Sequence, residues 1–273
     1  MSTPALNVHV HADDLEIRLP QAEALASALD QDQEWCEVVH DDGTVERLRF
    51  HDYDRIFTVP GLYERLFYTE LECSSPTVVR GLLEDALRTD GAEPADLRVL
   101  DLGAGNGMVA EELRAMGADA IIGADILHEA KMAAERDRPA VYDGYQVCDL
   151  TAPDPVADEA LRSFAPTCLT TVAALGFGDI PPRAFATAFE YLADDAWIAM
   201  TIKDDFISDD DPSGFSRLIK RMNDEGALEV SVDHRYQHRL AVSGEPLHYH
   251  AYVARKRAEI APSWLRDVEA AAA

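Results

Sequence analysis

Between residues 96 and 204 the chain alternates short apolar runs with stretches of helical period. The apolar runs are Arg98–Leu102, Ala120–Ile126, Tyr145–Leu150, Thr167–Ala174 and Trp197–Lys203. They show little polar alternation, so both faces of each must be covered, as in parallel strands flanked by helices. Between them, Asn106–Met116, His128–Arg136, Ala157–Phe164 and Pro181–Leu192 repeat apolar residues at helical spacing, and Gly117 ends the first of these. The pattern predicts an α/β fold.

The flanks follow other periods. Leu15–Leu19 alternates as a strand, and Ala22, Leu25, Ala26 and Leu29 recur as on a helix. Asp41-Asp42-Gly43 lies between Glu37–Val39 and Val45–Phe50, which predicts a hairpin. An aromatic stretch follows, with Tyr53, Phe57, Tyr63, Phe67 and Tyr68 interrupted by Pro60-Gly61. Ser75-Pro76 opens a predicted helix that runs to Arg88. Downstream, Pro212–Asn223 reads as a helix. Leu228–Tyr236 and His248–Arg255 alternate as strands around a turn at Gly244-Glu245-Pro246, so the sheet is expected to end in an antiparallel hairpin. The Ala- and Glu-rich tail after Pro262 reads as a frayed end. Two regions result: an N-terminal α+β subdomain over 1–95, and the sheet domain over 96–273.

Composition narrows the function. With 273 residues and 47% hydrophobic content, the chain can bury a substantial core, and it has no apolar run long enough to span a membrane. Met1-Ser2-Thr3-Pro4 carries neither the basic nor the apolar region of a signal peptide. Cys36, Cys73, Cys148 and Cys168 form no C-x-x-C pair and read as reduced thiols, so the expected location is cytoplasmic. A formal charge of −27 repels phosphate backbones and anionic lipids, so neither nucleic acid nor membrane is an expected partner. Lysines are few, at 131, 203, 220 and 256, a bias that a GC-rich genome or life in high salt would also produce.

The chemistry concentrates in Val99-Leu100-Asp101-Leu102-Gly103-Ala104-Gly105-Asn106-Gly107-Met108. A strand runs into a glycine turn and then into a helix start, where a ligand can approach the backbone closely. A dinucleotide fingerprint needs a third glycine where Met108 stands. Asp101 sits poorly beside a pyrophosphate and suits a cationic group.

On residues 99–107, with Asp125 ending the second strand and Asp149 the third, the chain resembles the class I S-adenosylmethionine (SAM)-dependent methyltransferases. The resemblance implies a Rossmann-like, doubly wound, seven-stranded mixed sheet with a terminal antiparallel hairpin and an N-terminal α+β lid. It implies SAM as cofactor, bound in the 96–273 domain, with the lid over 1–95 building the acceptor pocket. Asp101 would face the ammonium, and Gly103, Ala104, Gly105 and Asn106 would line the methionine and ribose. Asp125, about 20 residues past the first glycine, would take the ribose hydroxyls, with Ile126 beside it. Asp149 and Leu150 would border the adenine, and Ala173 the methionine end. Tyr63 and Tyr68 would reach the cofactor from the lid, while Phe57 and Phe67 pack it down. The segment Thr171–Gly178 lacks the Asn or Asp followed by prolines found in DNA and protein-amide methyltransferases, which points to the small-molecule branch. The Gly176-x-Gly178 turn would lie beside the methionine end.

If the transfer needs a base, His234 and then His250 are the candidates. His9-x-His11 and His248-x-His250 each place two imidazoles on one strand face, yet spacing offers no third ligand, so no metal is expected. The expected partner is a small-molecule methyl acceptor, with a homodimer as the candidate assembly. The alternative is a SAM-binding protein of this fold that cyclises, eliminates or only binds; an NAD-dependent oxidoreductase is more distant.

Overall fold

The computed structural model describes residues 15–20, 29–176, 179–207, 211 and 213–272. The predicted helix around Ala22, the pair His9 and His11, Phe177 and Gly178, and Pro212 lie wholly or partly outside the described residues.

The N-terminal part folds as a small antiparallel sheet, β1 (Glu16–Arg18), β2 (Trp35–Val39) and β3 (Val45–Arg49), in the order β1-β2-β3. Asp42 closes the predicted hairpin: its Oδ1 accepts from Thr44 N at 2.9 Å and from Thr44 Oγ1 at 2.6 Å. The aromatic stretch forms α1 (Tyr53–Ile56) and α2 (Leu62–Glu64), and the latter widens into a π-helical turn over Arg65–Glu70. Then α3 (Ser75–Asp90) begins with Pro76 in its first turn and ends on Gly91 at φ +72°.

The chain continues as β4 (Arg98–Leu102), α4 (Met108–Met116), β5 (Ala120–Asp125), α5 (His128–Asp137), β6 (Gly144–Val147), α6 (Pro155–Phe164), β7 (Cys168–Thr171), α7 (Pro182–Glu190) and β8 (Trp197–Lys203). After α8 (Phe215–Asp224) come β9 (Leu228–Leu240), β10 (Pro246–Lys256) and α9 (Pro262–Ala272). The seven strands lie in the order β6-β5-β4-β7-β8-β10-β9. β4 to β8 are mutually parallel, and β10 inserts antiparallel between β8 and β9. This is the mixed Rossmann-like sheet the motifs implied.

Strand alternation places the core in two layers. Val99, Ile121, Cys168 and Ala199 meet Val79 and Leu83 of α3 and Leu113 of α4 on one face. Leu100, Ile122, Leu169 and Ile198 meet Phe185 and Phe189 of α7 and Phe215 of α8 on the other. Burial on both faces makes the strands mostly apolar, and among the polar residues they keep, Asp101, Thr170, Thr171 and Thr201 are buried too.

α3, which precedes residue 95, packs its Val79, Leu83 and Leu87 onto the large sheet. Three expectations are corrected. The tail after Pro262 is α9, since Leu265 and Val268, three residues apart, are 8% and 4% exposed against the core. β6 stops at Val147 and β7 at Thr171, so Asp149 and Ala173 lie in the turns that follow. α4 starts at Met108, because residues 103–107 are spent on the turn. Among the described residues no helix is long and apolar enough to cross a membrane.

The small sheet and α1–α2 lie over the C-terminal ends of the parallel strands. Arg136 Nη1 donates to Phe57 O at 3.0 Å, Arg138 Nη1 to Glu64 Oε1 at 2.7 Å, and Phe57 packs on Ala130 and Ala133 of α5. Arg239 of β9 holds Glu34 at 2.5 Å in a pair that is 4% and 1% exposed.

Candidate active site

The glycine turn joins β4 to α4. Gly103 and Gly105 adopt φ of +71° and +51°, the left-handed region that side chains resist. A Cβ on Gly103 would also stand 2.8 Å from Ala174 Cβ and 2.9 Å from Ile180 Cδ1. Tyr142 Oη donates toward Ala104 O at 3.0 Å, and Tyr145 Oη toward Gly105 O at 2.8 Å, so two phenols hold the turn from behind. The turn's amides are spent as well. Gly103 N and Ala104 N donate to Ala124 O, at 2.9 and 3.2 Å, and Gly105 N donates to Asp125 Oδ2 at 2.9 Å. These three amides are therefore not an open nest for phosphate, and the structure removes the anion-binding reading that a glycine turn alone invites.

Asp101 sits behind the turn rather than in it. It is 1% exposed, takes Thr170 Oγ1 at 2.7 Å on one oxygen and Tyr142 Oη at 2.8 Å on the other. Burial pushes its carboxyl up to about 6 against those two hydrogen bonds. Tyr142 has one hydroxyl proton and two acceptors, Asp101 and Ala104 O. Both contacts are satisfied when Asp101 is protonated and donates to the phenol. Asp101 thus anchors the turn from behind, with its oxygens on Thr170 and Tyr142.

A cavity of about 280 Å³ opens where the strand ends meet the lid. β4 and its turn contribute Leu102, Gly103 and Gly105; β5 contributes Ala124, Asp125, Ile126 and Leu127. Cys148, Asp149 and Leu150 close one end, and Val172, Ala173 and Ala174 the other. The lid adds His51, Tyr53, Asp54, Phe57 and Tyr63. Of the predicted cofactor residues, Tyr63, Gly103, Gly105, Asp125, Ile126, Asp149, Leu150 and Ala173 come together on this wall. Asp125 Oδ1 accepts from Leu127 N at 2.9 Å, leaving further lone pairs on both oxygens for a ligand. Its burial raises the carboxyl above its ordinary value. Asp149 is held in its turn by Thr151 N and Oγ1, at 2.8 and 2.7 Å, which lower its carboxyl.

Other predicted residues stand elsewhere. Ala104 is buried, 3.0 Å from where a Cβ on Gly123 would lie, and Asn106 turns inward toward Glu64 and Asp137. Tyr68 lines a smaller neighbouring cavity instead. His234 lies on β9, the edge strand, and His250 on β10; neither lines the cavity. His250 Nδ1 pairs with Asp233 at 2.5 Å. Strand order explains this, because β8 separates the hairpin from the cofactor-facing strands. Sequence reasoning passed over Tyr142 and Thr170, which hold Asp101, and over His51, Asp54 and Asp179. Their proximity to the turn arises only from tertiary packing, and nothing in local spacing marks it.

Among the described residues, four carboxylates, Asp54, Asp125, Asp149 and Asp179, border the cavity, and no Lys or Arg does. Such a wall favours a ligand bearing sulfonium and ammonium charges and opposes a pyrophosphate. Asp125 fits a ribose diol, and the glycine backbone leaves room for the cofactor's chain. A family model of the methyltransferase domain matches residues 76–257. Comparison with curated proteins finds no match. Among solved structures, the chain is similar to a SAM-dependent methyltransferase from Anabaena variabilis, at 12% identity over 77% of this chain and 96% of that one, TM-score 0.47. It is also similar to magnesium protoporphyrin IX methyltransferase from Synechocystis (15%, 66% and 79%, TM-score 0.44) and to TehB from Haemophilus influenzae (14%, 71% and 67%, TM-score 0.46). The chain belongs to the class I methyltransferase-domain family, and S-adenosylmethionine is its methyl donor.

Proposed function

We propose that the protein methylates a small-molecule acceptor, in the manner of secondary-metabolic enzymes. The observation that carries this is the lid: Tyr53, Phe57 and Tyr63 wall the strand ends into a cavity, where a macromolecular substrate would need an open face. The charge of −27 supports the same reading against nucleic acid. All four cysteines are free thiols, three of them buried, which supports a reducing compartment such as the cytoplasm.

Asp125 would hold the ribose hydroxyls, and Ile126, Asp149 and Leu150 would border the adenine. When bound, SAM supplies an electrophilic methyl group. The chain's own part is to orient the acceptor, to shut out water with the lid aromatics, and to receive any proton the acceptor loses. The test is a screen with tritiated-methyl SAM against phenols, amines, carboxylates, total RNA and protein extract. The expected result is label in small-molecule fractions only; label in RNA or protein would overturn the small-molecule reading.

A further inference from the structure

A second cavity of about 40 Å³ adjoins the first. The two share His51, Tyr53, Tyr63, Ala173, Ala174 and Asp179 as a common wall. That wall belongs to the end opposite Asp149 and Leu150, hence to the methionine end on the assignment above. Two independent observations on the small cavity point to a ligand. The first is a dyad: His51 Nδ1 lies 2.9 Å from Asp179 Oδ2, with the imidazole 16% exposed. A neutral imidazole that gives its Nδ1 proton to a carboxylate carries its basic lone pair on Nε2. The second is Gln31, only 9% exposed. Its amide nitrogen donates to Tyr249 Oη at 2.9 Å, while its Oε1 is buried with no hydrogen-bond partner. Buried amide oxygens find a donor in nearly every folded protein, so this one is set for a donor from outside the chain.

Phe50, Phe67, Tyr68 and Tyr249 give that cavity aromatic walls beside Cys73, Leu175 and His238, and its guanidinium, Arg239, is neutralised by Glu34. The cavity is far smaller than the roughly 150 Å³ that holds a benzene ring. Only the polar edge of a molecule enters, and its body rests on the shared wall.

We propose that this cavity is the methyl-acceptor site, that it takes an uncharged hydroxylated aromatic molecule, and that His51, oriented by Asp179, accepts the proton of the reacting hydroxyl. Gln31 Oε1 accepts a hydrogen bond from a second donor of the same molecule. The acceptor's O–H bond breaks as its O–CH3 bond forms. The proton passes to His51 Nε2, giving an imidazolium paired with the Asp179 carboxylate. The electron pair of the donor's carbon–sulfur bond stays on sulfur, leaving a neutral thioether. The proposal rests on the small-molecule methyltransferase reading.

The probes are hydroquinone, phenol and toluene, titrated calorimetrically into protein loaded with S-adenosylhomocysteine. Affinity is expected to fall at each lost hydroxyl, about tenfold from hydroquinone to phenol. Gln31→Leu is expected to bind hydroquinone no better than phenol. With hydroquinone and tritiated-methyl SAM, His51→Gln and Asp179→Asn are expected to lower kcat about a hundredfold or more while KM changes little. Failure of all probes to bind, equal binding of the three, or a full rate in both dyad variants would overturn the proposal. Failure of S-adenosylhomocysteine itself to bind would instead overturn the methyltransferase site.

Discussion

Asp125 and Asp101 end neighbouring strands and face different surroundings. Asp125 opens into the cavity and ties Gly105 N to β5, so one carboxylate both shapes the turn and borders the cavity. Asp101 is closed off by Tyr142 and Thr170. Its folded carboxyl titrates at about 6, against an ordinary value of 3.8. Its contribution to stability is therefore fully present below pH ~4 and is lost as pH rises through 6. Asp101→Asn keeps one acceptor and one donor in place of the protonated acid and carries no such loss. Between pH 4 and 7 the variant should gain about 3 kcal/mol relative to the wild type, measured from urea midpoints. Parallel pH curves would contradict the assignment. The acids themselves were legible, because strand ends and glycine spacing mark them. Which of them faces the cavity was not, because Tyr142 and Thr170 reach Asp101 from distant positions in the chain.

At the scale of elements, two contacts made late in the chain hold the scaffold. α9 covers the start of α8, and a Cβ on Gly214 would lie 2.5 Å from Val268 Cγ1. Deleting residues 262–273 exposes the pocket of Leu265 and Val268 and should cost roughly 4 kcal/mol in urea unfolding; an unchanged midpoint would mean the tail is dispensable. The lid depends on Glu34, whose carboxylate takes Arg239 Nη2 and Val242 N. Glu34→Ala strands a buried guanidinium and should destabilise by about 3–5 kcal/mol. It should also expose residues 34–50 to limited proteolysis before the sheet domain is cut. The parallel strands and their helices were readable because burial on both faces leaves an unbroken apolar run. α9 was not, because two apolar residues among alanines form a face only against a neighbour. The end of β6 differs because Cys148 and Leu150 continue the apolar character past Val147, the last paired residue.

Across the whole molecule, the lid and the sheet together make what neither part contains. His51 and Asp179 stand 128 residues apart in the chain and 2.9 Å apart in space. The charge of −27 agrees with a cavity whose bordering charges are four carboxylates. A cationic cofactor is drawn to that wall, and an anionic dinucleotide is not. The parallel sheet and its terminal hairpin were legible from the alternation of elements; the strand order and the small cavity were not, because they arise between segments with no common motif. The central claim is that SAM binds against Asp125 in this cavity. Calorimetric titration of SAM and of NAD into the wild type and Asp125→Ala tests it most directly. The expected result is SAM binding to the wild type, about thirtyfold weaker binding to Asp125→Ala, whose melting temperature also falls because Gly105 N and Leu127 N lose their acceptor, and no binding of NAD. Equal SAM affinity in the two proteins, or NAD binding in place of SAM, would contradict it.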